Sequence, residues 1–315
     1  MHRRLLAATS GVLLVLTLAA CGSDSPSPAS SGDSTTTTAA ANAEFPVTIT
    51  TPAGDVTIEK APTAIVSMSP SSTETLFAIG AGDQVIAVDK NSNYPDEAPD
   101  GDLDSYKPNV EAIAGKHPDL VILAGDSNDL VKGLAALDIP VLLEAAPTDL
   151  AGVYAEVEQL GQATGHATAA KKVAADMKAG IEAAVAGADV KGLSYYYELD
   201  NTYYSQTSKT FLGTVIGQLG LVNIADGTAG ASDYPQLSAE HIIKSDPDLI
   251  LLADTKCCQQ SAATLKARPG WGQLKAVTGA GVVELDDDIA SRWGPRLVDL
   301  VEQVASAAQK VKAAA

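Results

Sequence analysis

Two α/β lobes, each a mainly parallel sheet flanked by helices and the pair joined by one long rigid helix, are the architecture this sequence predicts. Three observations predict it. First, the run Pro118-Asp119-Leu120-Val121-Ile122-Leu123-Ala124 recurs almost unchanged as Pro247-Asp248-Leu249-Ile250-Leu251-Leu252-Ala253. Second, each copy follows a short amphipathic segment, Val110-Glu111-Ala112-Ile113-Ala114 or Ala239-Glu240-His241-Ile242-Ile243, so a helix-turn-strand unit is written in both halves. Third, Ala167 to Ala186 holds no Pro and one Gly, Gly180, which predicts a helix about 30 Å long at 1.5 Å per residue.

The chain opens with Arg3 and Arg4 and an apolar run, Val12 to Ala20, too short to span a bilayer. A basic start, a short apolar core and small residues at the cut read as a secretory leader, residues 1–20. Leu18-Ala19-Ala20-Cys21 resembles the bacterial lipobox, whose cysteine is acylated and becomes the mature N-terminus; Cys21 is thus the expected lipid anchor on the outer face of a membrane. Residues 21–43, rich in Ser, Thr, Pro, Gly and Ala without apolar periodicity, read as a flexible linker.

About 270 residues then remain, enough for two lobes. Residues 44–148 are expected to form the N-terminal lobe, 149–188 a connecting helical segment interrupted near Thr164-Gly165-His166, and 189–315 the C-terminal lobe. The continuous apolar runs after Pro-Asp are strands buried on both faces. Ile65 to Met68 leads through a polar turn into a helix at Glu74 to Ile79, and Leu193 to Tyr197 leads similarly into Phe211 to Ile216. Ligands of open α/β sheets bind near the carboxyl ends of the strands. The net charge of −18 opposes binding of a phosphate backbone, which excludes nucleic acid as a partner.

No Gly-x-Ser-x-Gly, Walker A, His-Glu-x-x-His or Cys-x-x-Cys motif occurs, so no reactive centre is expected. His117, His166 and His241 are scattered, which is not the pattern of a zinc site. Asp286-Asp287-Asp288 reads as a solvated strand end with one Asp near the cleft, ahead of Ser291-Arg292. Cys257 and Cys258 are adjacent and form either a vicinal disulfide or two thiols. Tyr94, Tyr106, Tyr197, Tyr203, Tyr204 and Tyr234 fall in loops or at strand ends of both halves, where a flat apolar face with a polar tip suits the wall of a cleft. After the leader only Arg268, Arg292 and Arg296 remain, too few for a strongly anionic guest.

Ile65-Val66-Ser67-Met68-Ser69-Pro70-Ser71-Ser72-Thr73-Glu74, Asn93-Tyr94-Pro95, Asn109-Val110-Glu111-Ala112-Ile113, Arg268-Pro269-Gly270-Trp271 and Gly294-Pro295-Arg296, in this order, resemble the iron-siderophore and cobalamin-binding proteins of ABC importers. Tyr197-Glu198-Leu199-Asp200-Asn201-Thr202 and Tyr234-Pro235-Gln236-Leu237-Ser238-Ala239-Glu240 look most like the cobalamin branch. The resemblance implies a class III substrate-binding protein, not an enzyme, that needs no cofactor and no resident metal. It would act as a monomer and deliver a corrinoid to an ABC permease and its ATPase. Ferric hydroxamate siderophore or haem is the alternative cargo; a surface hydrolase or a non-transport lipoprotein is the weaker one. By position, Tyr94, Tyr106, Tyr197, Asp200, Tyr234, Asp288 and Arg292 are the implied ligand-binding residues, and Glu74 and Glu240 the implied permease-docking residues. Trp293 stands where a small residue or Pro is common in the family.

Overall fold

The computed structural model describes residues 45–314 apart from 229 and 231; Cys21, with the leader and linker, lies outside the described residues. The first element is a hairpin the sequence reading did not anticipate, β1 (Val47–Thr51) paired antiparallel with β2 (Gly54–Ile58). Its inward residues Ile49 and Ile58 join the N-terminal core.

The N-terminal lobe comprises β3 (Ile65–Met68), α1 (Pro70–Ala78), β4 (Val85–Val88), α2 (Val110–Ala114), β5 (Leu120–Leu123), α3 (Leu130–Ala135) and β6 (Val141–Leu143). Two helices follow, α4 (Leu150–Thr164) and α5 (Ala167–Gly187). The C-terminal lobe comprises β7 (Ser194–Glu198), α6 (Phe211–Gly217), β8 (Val222–Asn223), α7 (Ala239–Ser245), β9 (Leu249–Leu252), α8 (Ala262–Ala267), α9 (Lys275–Thr278), β10 (Val282–Glu284) and α10 (Leu297–Ala314).

Both sheets are parallel, and their strand orders, β4-β3-β5-β6 and β8-β7-β9-β10, are the same order written twice. The recurring apolar run supplies the third strand of each. In β5, Leu120 and Ile122 enter one core while Val121 and Leu123 enter another. In β9, Leu249 and Leu251 face one core and Ile250 and Leu252 the other. Burial on both faces is why these strands show no polar alternation.

The Pro-Asp that opens each run has its own task. The Asp119 carboxylate accepts from the Thr63 amide and hydroxyl and from the Ala64 amide, just before β3. Asp248 accepts from the amide and hydroxyl of Ser194, the first residue of β7. Each aspartate thereby sets the register between the first and third strands of its sheet. At Asp119 burial works against ionisation, but the Thr63 and Ala64 donors prevail and hold its carboxyl below the usual range.

The connection between lobes is a helix pair rather than one unbroken helix. The Asp149 carboxylate caps α4 at the Gly152 amide, and Gly165, at φ +84°, ends it. Helix α5 then belongs to both lobes. Its Ala170, Ala174 and Met177 are buried in the N-terminal core, and Ile181 in the C-terminal core. Gly180 lets α10 approach, since a Cβ there would meet Val298. A helix locked into two cores resists bending between them.

Candidate ligand-binding cleft

The carboxyl ends of β3 and β5, at Met68 and Leu123, open onto a gap between the lobes. There a cavity of about 380 Å³ is lined by Ser69 and Ser71 at the start of α1, Tyr106, the residues after β5, and Asp288, Arg292 and Trp293 from the C-terminal lobe. That volume is at the lower end of the range for small-molecule sites, about 300–1,000 Å³.

Tyr106 is presented rather than packed. Buried Asp89 accepts from Ser92 and Ser105, while Asp104 accepts from the amides of Tyr106 and Lys107 and pairs with Lys90. The loop backbone is thus fixed while the Tyr106 ring is 82% exposed. A fixed aromatic face open to solvent is what a flat apolar guest needs. Half-buried Trp293 lines the same cavity from the C-terminal lobe and donates its amide to Ser71 Oγ at 3.2 Å.

Arg292 joins the lobes. It donates to Glu74 Oε1 at 2.8 Å, the Asn91 carbonyl at 2.7 Å, Asn93 Oδ1 at 2.9 Å and Asp288 Oδ1 at 2.8 Å. Arg296 adds a second fork onto Glu74, and Asn93 donates to Asp288 at 3.1 Å. Burial draws the Asp288 carboxyl up, but Lys256, Asn93 and Arg292 outweigh it and hold it below the ordinary range. Arg292, the one lining cation among the described residues, is therefore already matched by carboxylates.

Three expectations are corrected by these contacts. Glu74 is 3% exposed and engaged by two arginines, so in this state it is part of the lobe bridge and offers nothing to a partner's surface. Tyr197 is wholly buried in the C-terminal core; its hydroxyl donates to the Ala290 carbonyl at 2.8 Å and props the 286–292 segment from beneath. The tyrosines do not share one wall. Tyr94 lies under Arg296, 3.9 Å from guanidinium to ring centroid, and lines a separate surface hollow with Phe77 and Pro95. Tyr234 is 55% exposed on the loop before α7, and Asp200 spends its carboxylate on the amide and hydroxyl of Thr202. Only Tyr106, Asp288 and Arg292 of the expected set line the cavity.

Sequence reading missed three residues here. Trp293 lines the cavity and, on its other side, a small hollow with Glu144 and Glu156. Glu144 accepts from Ser72 at 2.7 Å, and burial and the neighbouring Glu156 push its carboxyl up to about 8. Burial also raises Glu156 to about 7, the Trp293 hydrogen bond pulling the other way. The departure of Trp293 from the family pattern was a signal available in the sequence.

Of Arg268-Pro269-Gly270-Trp271, Trp271 belongs to the C-terminal core, Arg268 is half-buried against it, and Pro269 and Gly270 are exposed. Arg268 grips buried Glu198 with both ends of its fork and lies 4.5 Å over Trp271. Asp254 sits beside Glu198, and burial together with that neighbour raises its carboxyl.

Among the described residues no histidine lines the cavity: His166 bonds the Thr164 carbonyl and His241 the Ile224 carbonyl. Ser71 accepts from Trp293, Ser127 lines the cavity and Ser205 is buried; among the described residues no histidine hydrogen-bonds to any of the three. Among the described residues no group of three or more His, Cys, Asp or Glu side chains is placed to hold a metal, and no helix is long and apolar enough to cross a membrane.

Known proteins agree with this architecture. The chain is 31% identical over 277 residues to an uncharacterized ABC transporter substrate-binding lipoprotein, YvrC, of Bacillus subtilis, covering 83% of this chain and 85% of that one. It is 30% identical over 275 residues to a cobalamin-binding protein of Halobacterium salinarum, covering 84% and 74%. Among solved structures, the periplasmic vitamin B12 binding protein BtuF of Vibrio cholerae superimposes with a TM-score of 0.67 at 26% identity, over 80% of this chain and 98% of that one. The periplasmic heme-binding protein RhuT from Roseiflexus shares the fold with a TM-score of 0.70 at 23% identity, over 79% and 98%. The family described as periplasmic binding protein matches residues 65–289, from the first strand of one sheet to the cleft segment of the other, and the chain belongs to that family.

Proposed function

We propose that this chain is the substrate-binding component of an ABC importer, lipid-anchored through Cys21 on the outer face of a membrane, and that it carries cobalamin or a related corrinoid. The observation that carries the reading is the inter-lobe cavity between an exposed Tyr106 ring and Trp293, with Arg292 already neutralised. Such a site favours a flat guest of little net charge, bound by burial of apolar surface at about 25 cal/mol per Å² before ordering costs. The relatives named for cobalamin and vitamin B12 support the same cargo. Like the relatives named as binding proteins, the chain holds its cargo and releases it unchanged.

Delivery needs a surface the permease can grip. Glu240, exposed in the first turn of α7, has an internal counterpart: the repeat that pairs α7 with α2 pairs Glu240 with Glu111, also exposed in a first turn. We assign the docking pair to Glu111 and Glu240 in place of buried Glu74.

The test is equilibrium titration of the full chain with cobalamin, haem and a ferric hydroxamate. Cobalamin is expected to bind most tightly, and Tyr106→Ala to weaken it about tenfold, the loss of one aromatic wall. Tighter binding of the ferric hydroxamate or of haem would reassign the cargo.

A further inference from the structure

We propose that Cys257 and Cys258 are a redox-modification site: they close reversibly to a vicinal disulfide, and closure alters the hold of their turn on the lobe-bridging segment Asp286–Asp288. Adjacent side chains on an extended strand point to opposite faces and cannot meet. Here the chain leaves β9 through a turn at residues 255–257; the Cys258 amide donates back to the Asp254 carbonyl at 3.3 Å, and Gln259 takes φ +54°. That turn brings both sulfurs to one side, Sγ to Sγ at 2.7 Å, with both free as thiols. Cys257 is exposed and Cys258 partly so, which admits a small reagent.

The oxidant is a low-molecular-weight disulfide. One thiolate of the pair attacks a sulfur of that disulfide, expelling a thiolate and leaving a mixed disulfide. The second thiolate attacks the protein sulfur of the mixed bond, so the Sγ–Sγ bond forms and the other half of the reagent leaves. The two protons given up by Cys257 and Cys258 end on the two released thiols.

Closure has a structural consequence because the turn is already in use. The Asp287 carboxylate accepts from the Thr255 hydroxyl at 2.8 Å and from the amides of Lys256 at 3.0 Å and Cys257 at 2.8 Å. Lys256 Nζ reaches Asp286 at 2.8 Å and Asp288 at 2.7 Å, and Asp288 meets Asn93 of the other lobe and Arg292. An eight-membered ring strains the peptide between adjacent cysteines away from its relaxed planar trans form. The strained peptide, Cys257–Cys258, adjoins the Lys256–Cys257 peptide whose N–H binds Asp287, so rotation about Cys257 on closure turns that donor and loosens the segment that bridges the lobes.

The experiment treats the full chain with oxidised glutathione or with a reducing agent, then alkylates and digests with trypsin. Peptide 257–266, bounded by Lys256 and Lys266, reports the pair separately from Cys21. After oxidation it is expected to take up no alkyl group and to be lighter by two hydrogens, and after reduction to carry two alkyl groups. A persistent glutathione adduct, a disulfide-linked dimer, or two alkylatable thiols after oxidation would overturn the site. Hydrogen exchange at residues 285–293 is expected to be faster in the oxidised chain, with no redox difference in the Cys257→Ser/Cys258→Ser double variant. Equal exchange in both states of the unmodified chain would overturn the coupling. None of these readings requires a cargo.

Discussion

Glu144, Glu156 and Trp293 show how a pH response arises from burial alone. Glu144 titrates at about 8 in the fold against 4.5 when unburied. Across that interval the folded chain keeps a proton that the unfolded chain releases, so the contribution is complete below pH 4.5 and is lost as pH rises toward 8. Glu156, raised to about 7, acts in the same direction. Glu144→Gln keeps the Ser72 hydrogen bond and removes the charge. It should be more stable than the parent near pH 8 by on the order of 3 kcal/mol, with little difference near pH 4. Urea unfolding midpoints at the two pH values check this, and an unchanged pH dependence in the variant would contradict it. None of this was legible in the sequence, because the three residues come from β6's end, α4 and the other lobe. Glu74 was misread for the same reason: a helix at Glu74 to Ile79 would leave it in an exposed first turn, but α1 starts at Pro70, and Arg292 and Arg296, more than two hundred positions away, close over it. The loop placement of Tyr106 was readable from the turn residues around it.

At the scale of elements, the double-faced apolar strands and the Pro-Asp turns could be read directly, since each is a local pattern with a local cause. The hairpin β1–β2 could not. Its Thr-rich faces bury only Ile49, Thr51 and Ile58, too weak an alternation to stand out beside a Ser/Thr-rich linker. The connector was half legible: composition gave helix and Gly165 gave the break, but the packing of α5 into two cores is a tertiary fact. The α4–α5 contact depends on Gly161, where a Cβ would overlap that of Ala170. Gly161→Val should therefore cost ~2 kcal/mol by forcing the helices apart. Thermal or urea unfolding measures it, and a loss below a few tenths would mean the two helices are not held at this point.

For the whole molecule, duplication is the organising fact. Two sheets of one strand order put equivalent glutamates, Glu111 and Glu240, on equivalent short helices. Replacing both by Ala should reduce cargo uptake in cells strongly while leaving the equilibrium affinity for cargo within about twofold. A matching fall in affinity would place these residues in the binding site instead. Parallel strands and repeat were written in the chain, whereas the cavity wall was not, because only one of the expected tyrosines reaches it.

The central claim is that this cavity receives a corrinoid ring between Tyr106 and Trp293. A crystal structure of the full chain with cobalamin tests it most directly. The account predicts ring density against both side chains, with the Arg292–Glu74 bridge in place at the edge. Cobalamin bound elsewhere, or an empty gap beside a saturating ligand, would contradict it.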